Sequence, residues 1–438
     1  MSRTMILTVA AIVTTMCVCD RAQAQADLAD ENAQLKSRVS TLEKQVEGLT
    51  AALSPEEKNK VEATAEGKKS IWSKLDVQLY GFIKADASYD NSRTTSGNYV
   101  VWVDNESVRK NDDEFNLTAN ETRLGLAING PQGTTMQTSG KVEFDFYGSG
   151  ASENKAKIQM RHAYVQLRWP QRALSLLAGQ TWDVISPLNP TTLNYTVLWD
   201  VGNIGYRRPQ IRLTKDIMLS GESSVKLEGA VSRTIGRDVT VVGVTSESGE
   251  DAGFPTLQGR IGMTKPWLEA GSTRFGVSGH VGKEEYDTST TSSAGRDFDS
   301  WSINFDLLQP ITTWMTLKAE VFRGENLDSY FGGIGQGVRT VPGGGHDREI
   351  GSKGGWCALA LGPWGQWSFN TGIGIDDVDR DDVNAGDRTL NRAVFANAIY
   401  ALNEHADVGV ELSHWRTDYR GPGDADDVRI QTSLKYKF

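Results

Sequence analysis

The chain has 438 residues, 38% of them hydrophobic, with 45 glycines, 12 tryptophans and a formal charge of −10. Its three cysteines, two of them among the first twenty residues, exclude a disulfide framework and a cysteine-built metal site. No run of about twenty apolar residues offers a membrane-crossing helix, and no nucleic-acid partner is expected of a chain with this charge.

Met1-Ser2-Arg3, an apolar run over 5–18 and Ala22-Gln23-Ala24 read as a positive start, an apolar stretch and a small-residue cleavage site. The expectation is a secretory signal peptide over 1–24, which leaves Cys357 as the cysteine of the mature chain. Leu28, Leu35, Val39, Leu42, Val46, Leu49 and Leu53 then follow at sevens, fours and threes, with Asn32 at the skipped seam position. This seam predicts a short N-terminal α-helical coiled coil over 27–53; a single amphipathic helix lying on the next domain is the alternative. Residues 54–74 carry Pro55, many Glu and Lys and little apolar content, and read as a solvated linker.

From residue 75 the period changes to two. Alternating segments fall at 76–89, 115–128, 141–147, 158–169, 173–182, 205–213, 224–234, 256–264, 274–282 and 298–308. Six more fall at 314–324, 355–361, 367–375, 390–402, 407–415 and 427–438. In the last, Val428, Ile430, Thr432, Leu434, Tyr436 and Phe438 share one face while Arg429, Gln431, Ser433, Lys435 and Lys437 share the other. Connections alternate between short turns and long loops, as in barrels that cross a membrane up and down. The expected fold over 75–438 is therefore all-β, a 16-stranded antiparallel transmembrane β-barrel, apolar face to lipid and polar face to a watery lumen. Trp169, Trp182, Trp267, Trp314, Trp415 and other aromatics near strand ends are expected to form interfacial girdles.

Parity places Arg123, Arg208, Arg212, Lys226, Arg260 and Arg274 in the lumen, against Glu228, Asp306, Glu320 and Glu411. Rings of Arg and Lys favour anions, but such arginines can equally pair with acidic loop residues and only brace them. The third outer connection, 183–204, is too apolar for a solvated tip and is the expected constriction loop, with Asp183, Tyr195 and Asp200 as its candidate residues. His162, His280, His346, His405 and His414 are scattered without metal or triad spacing. The chain is not expected to be an enzyme, and no cofactor or metal is called for.

The motifs Leu79-Tyr80-Gly81-Phe82-Ile83-Lys84, Thr122-Arg123-Leu124-Gly125, Arg161-His162-Ala163-Tyr164-Val165, Phe322-Arg323-Gly324-Glu325-Asn326-Leu327 and Arg388-Thr389-Leu390-Asn391-Arg392 follow in order after the heptads. Together with the strands around the third loop they resemble the DcaP-like porins of Gram-negative outer membranes. The resemblance implies a homotrimer in outer-membrane lipid and lipopolysaccharide, with its coiled coil in the periplasm. It further implies passive uptake of small hydrophilic solutes, favouring anionic ones such as dicarboxylic or aromatic acids. An envelope tether, anchored by the barrel and binding a partner through the coiled coil, is the alternative function. Two features run against the simple pattern: acidic outer loops (Asp376, Asp377, Asp381, Asp382), and Arg161, whose parity points it to lipid unless its strand carries a bulge.

Overall fold

The computed structural model describes residues 75–438 apart from 109–111, 131–134, 149–155, 236–249, 288–294 and 340–346, together with Arg38 and Thr41. The chain divides into two compact units, Met1–Ser73 and Lys74–Phe438. In the first, Arg38 and Thr41 are helical and exposed; otherwise the expected signal peptide, coiled coil and linker lie outside the described residues.

In the second unit the described strands begin with β1 (Asp76–Asp90), β2 (Glu114–Thr118), β3 (Arg123–Asn129), β4 (Gln137–Asp145), β5 (Gln159–Trp169) and β6 (Leu174–Trp182). They continue with β7 (Arg207–Met218), β8 (Ser224–Ser232), β9 (Thr256–Leu268), β10 (Gly271–Asp287), β11 (Gly295–Thr312) and β12 (Met315–Glu325). A small hairpin, β13 (Val338–Arg339) and β14 (Arg348–Glu349), stands apart. The chain ends through β15 (Gly351–Trp364), β16 (Trp367–Val378), β17 (Arg388–Ala401), β18 (Ala406–Tyr419) and β19 (Ala425–Lys437).

Each strand pairs antiparallel with its neighbour, and β1 closes the ring on β19 with Ala85 opposite Leu434 and Tyr89 opposite Ile430. Both β2 and β3 pair with β1, one to Asp86–Asp90 and the other to Asp76–Phe82. They are two halves of one wall strand, so the closed barrel has sixteen. A closed barrel has no edge, so its ladders can satisfy the backbone polar groups of the wall within the protein. Alternation then sets the faces. Ile211, Ile261, Val321, Leu412 and Leu434 point outward and are half exposed or more, while Gln210, Ser278, Glu320, Glu411 and Ser433 are buried inside.

Several details of the wall depart from simple alternation. The wall strand expected over 115–128 is interrupted at 119–122, where four residues span the gap that three residues of β1 leave between its pairings with β2 and β3. That one-residue excess inverts parity, so Phe115 and Leu117 face out on one side of it and Leu126 on the other. β5 carries the bulge that Arg161 called for: Glu143 opposes His162 and Phe144 opposes Met160, which leaves Arg161 unpaired in the ladder and turned inward. The strict alternation of loop lengths fails at the last outer connection, 420–424, and the loop expected over 283–296 shrinks because β10 and β11 pair as far as Asp287 and Gly295.

Aromatic rings gather at the short-turn end, where Trp314 lies 5.5 Å from Trp364 and Trp367 lies 4.8 Å from Tyr400. Trp267 stacks on Phe275 there as well. Trp415 and Trp182 do not belong to a girdle. Trp415 is buried in an inner cluster and Trp182 sits 6.2 Å from Trp199 of the third loop.

Candidate functional site

The connection between β6 and β7, residues 183–206, does not leave the barrel mouth; it makes a circuit of the inner wall. Val184 donates its N–H to Gln258 Oε1 on β9 (2.7 Å), and Leu188 donates to Glu320 Oε1 on β12 (2.8 Å). Leu193 and Asn194 donate to the Glu411 carboxylate on β18 at 2.7 and 3.2 Å. The Leu193 carbonyl accepts from Lys84 Nζ on β1 and Gln431 Nε2 on β19, both at 2.9 Å. The Tyr195 hydroxyl then reaches Asp145 Oδ2 on β4 (3.1 Å).

From there the loop turns back across the lumen. Leu198 and Val201 pack with Trp356, Ala358, Phe395 and Trp415 of β15, β17 and β18. The approach is close enough to require glycine on both sides. A Cβ at Gly202 would meet the Gly355 carbonyl oxygen at 2.1 Å, and one at Gly374 would meet that of Val201 at 2.1 Å. Other loops fold in beside it: Asn391 Nδ2 donates to the carbonyls of both Asp200 (2.8 Å) and Val101 (2.7 Å), and Phe331 stacks on Trp199 at 4.5 Å. An apolar loop inside a polar lumen buries its side chains against the few apolar patches there, and its backbone is satisfied by wall carboxylates and amides.

All six expected basic residues lie on strands with lumen-face parity, but they do not form one ring. Arg208 is 1% exposed and its Nε sits 2.8 Å from Asp183 Oδ1, with the guanidinium 3.8 Å over the Tyr330 ring. Asp183 also accepts from Gln258 Nε2 (2.7 Å) and from the Tyr206 N–H (2.9 Å). Arg260 makes a two-pronged pair with Asp306 at 3.0 and 2.7 Å and reaches Glu228 at 3.4 Å. Arg212 lies 3.8 Å from the same Glu228 and donates to Gln210 Oε1 at 2.9 Å. Arg123 stands 3.6 Å from Glu143 and 5.0 Å over the Phe82 ring. Lys141 and Arg161 also pair with Glu143, at 3.3 and 2.8 Å, so cations outnumber carboxylates on this wall. Lys226 and Arg274 are exposed, and no ion pair is seen for either among the described residues.

Asp200 is buried and Tyr195 half-buried in the inner mass of loops. Burial pushes the Tyr195 hydroxyl above its ordinary range, so it stays a neutral donor. Sequence reasoning counted Glu320 and Glu411 as lumen acids without seeing that they clamp the loop backbone. It missed Arg207 altogether, since parity alone sets that residue opposite Arg208.

Glu411 gives a direct check on the clamp. Glu411→Ala leaves the Leu193 and Asn194 N–H groups without their acceptor, at a cost of about 1–3 kcal/mol to the seating of the loop. Single-channel recordings should then show larger and noisier current; traces matching the wild type would mean Glu411 does not hold the loop.

Residues 21–234 match the family described as DcaP outer membrane protein. No curated protein matches the chain. Among solved structures, the outer membrane channel DcaP of Acinetobacter baumannii superposes with a TM-score of 0.67 at 23% identity, covering 84% of this chain and 98% of that one. The anion-selective porin of Comamonas acidovorans gives 0.51 at 12%, covering 83% and 100%. The trimer form of OmpT from Vibrio cholerae gives 0.50 at 11%, covering 83% and 99%. With that family match over residues 21–234 running into a closed sixteen-strand barrel, the chain is similar to the DcaP outer membrane proteins.

Proposed function

We propose that the barrel is a passive diffusion channel for small hydrophilic solutes and that it favours anions, including dicarboxylic or aromatic acids. The observation that carries this is the imbalance of charge on the lumen face. Arg208, Arg212 and Arg260 are matched by Asp183, Glu228 and Asp306, whereas Arg274 faces the lumen exposed and Lys226, opposite Asp216 in the ladder, is exposed with no ion pair among the described residues. Unmatched cations in a confined passage attract anions more strongly than they would in bulk water. The protein works as a homotrimer, as its family resemblance implies, with the N-terminal segment on the periplasmic side.

The test is the reversal potential of the full-length protein in a planar bilayer under a potassium chloride gradient. The wild type should show an anion-selective sign. Lys226→Gln with Arg274→Gln should move the potential toward zero, and more so at low salt, because charges are screened over roughly 8–10 Å near physiological ionic strength. A cation-selective or null wild-type potential would overturn the anion preference.

A further inference from the structure

Arg207 is 1% exposed, and its Nε, Nη1 and Nη2 have no hydrogen-bond acceptor. Other deeply buried guanidinium groups are matched: Arg208 by Asp183, Arg161 by Glu143 and Asp145, Arg429 by Asp90. Around Arg207 there are instead three aromatic faces, Tyr206 at 4.6 Å, Trp182 at 4.8 Å and Trp199 at 5.9 Å. Cation–π attraction offsets only part of what burying an unpaired charge costs. The arrangement is a cation waiting for an anion.

Two of those rings, Tyr206 and Trp199, also form the wall of a cavity of about 390 Å³. Tyr99, Trp102, Tyr147, Tyr195 and Phe331 complete its aromatic lining. Trp199 and Phe331 lie nearly parallel, 10° apart, and Tyr195 packs 4.2 Å from Tyr147. Asp200 and Asp328 also reach this wall. They disfavour a carboxylate beside them and leave the ring floor over Arg207 as the place for negative charge.

We infer that this vestibule is a docking site for a flat, single-ring organic carboxylate, with Trp199 and Tyr206 the ring cover that moves aside and Arg207 the group that then pairs with the carboxylate. Flat apolar rings stack on aromatic walls in a way that a chloride or an acetate cannot, and pockets of a few hundred Å³ suit molecules of this size. The site rests on the anion-channel reading above and adds to it a specific residue and ligand shape.

The experiment measures how sodium benzoate and sodium acetate, added on the long-loop side, block chloride current through the full-length protein in a planar bilayer. In the wild type benzoate should half-block at a concentration at least tenfold below acetate. Arg207→Gln should raise the benzoate half-block about tenfold, with Arg207→Lys between the two. Phe331→Leu, which keeps Arg207 and removes a stacking partner, should weaken benzoate several-fold and leave acetate where it was. Equal block by benzoate and acetate in the wild type, or an unchanged benzoate block in both Arg207→Gln and Phe331→Leu, overturns the proposal. The wild-type reversal potential separates the two failures: an anion-selective channel without benzoate preference refutes this site alone, and a non-selective one refutes the reading beneath it.

Discussion

Arg208→Ala will unseat the third loop. The Arg208 guanidinium is sealed from water, 2.8 Å from Asp183 and 3.8 Å over Tyr330, and its Nη2 donates to the Ser329 carbonyl at 3.2 Å. It therefore ties both ends of the loop's base, and the neighbouring loop at 329–330, to β7. Alanine there leaves the Asp183 carboxylate buried with its charge unmatched, which costs about 3–5 kcal/mol. The remaining bonds from Gln258 and Tyr206 orient that carboxylate but bring no positive charge. The expected result is a lower urea midpoint for the purified protein and a higher single-channel conductance. Arg208→Met combined with Asp183→Leu should recover much of the midpoint, because removing both partners of a buried pair is far less costly than removing one. If the single variant matches the wild type in midpoint and conductance, this pair does not hold the loop.

Leu412→Arg should destabilise the barrel from its other side. Leu412 lies in the middle of β18, opposite Ala396 and Ile430, with 54% of its surface exposed to the outside. An arginine on the lipid face costs about 2–4 kcal/mol at the bilayer midplane and about 0–1 kcal/mol near the interface. Leu434→Arg, two residues from Tyr436 and close to the short-turn rim, should accordingly cost about 1 kcal/mol or less. Folding midpoints into lipid vesicles measure both. Equal costs, or a harmless Leu412→Arg, would mean that this face does not meet lipid at the depth the barrel assigns it.

The two variants probe parts of the molecule that were unequally legible beforehand. Leu412 and Leu434 could be placed from alternation alone, because a strand buried on neither face but divided between lipid and water must switch polarity at every residue. The same rule placed Arg208, Arg212, Lys226, Arg260 and Arg274 on the lumen face, and the misfit of Arg161 under that rule pointed to a bulge that is present. Wherever an extra residue enters a ladder without such a misfit, parity is silent. The break at 119–122 inverted faces within a single expected strand, and nothing in its residues announced it.

What local pattern settled is thus the wall: the strands, their short turns, and which side chains look outward, all set by neighbours one or two residues apart. What only the assembled barrel decided is the interior. Asp183 meets Arg208 across 25 positions, Glu411 meets Leu193 across 218, and Asn391 meets Val101 across 290. Arg207 and Arg208 are adjacent in the chain, yet one has a carboxylate and the other three aromatic rings, because a loop returning through the lumen supplies their surroundings. Closing the ring brings such distant groups within a few ångströms, and partners of that kind leave no periodicity in the sequence to read.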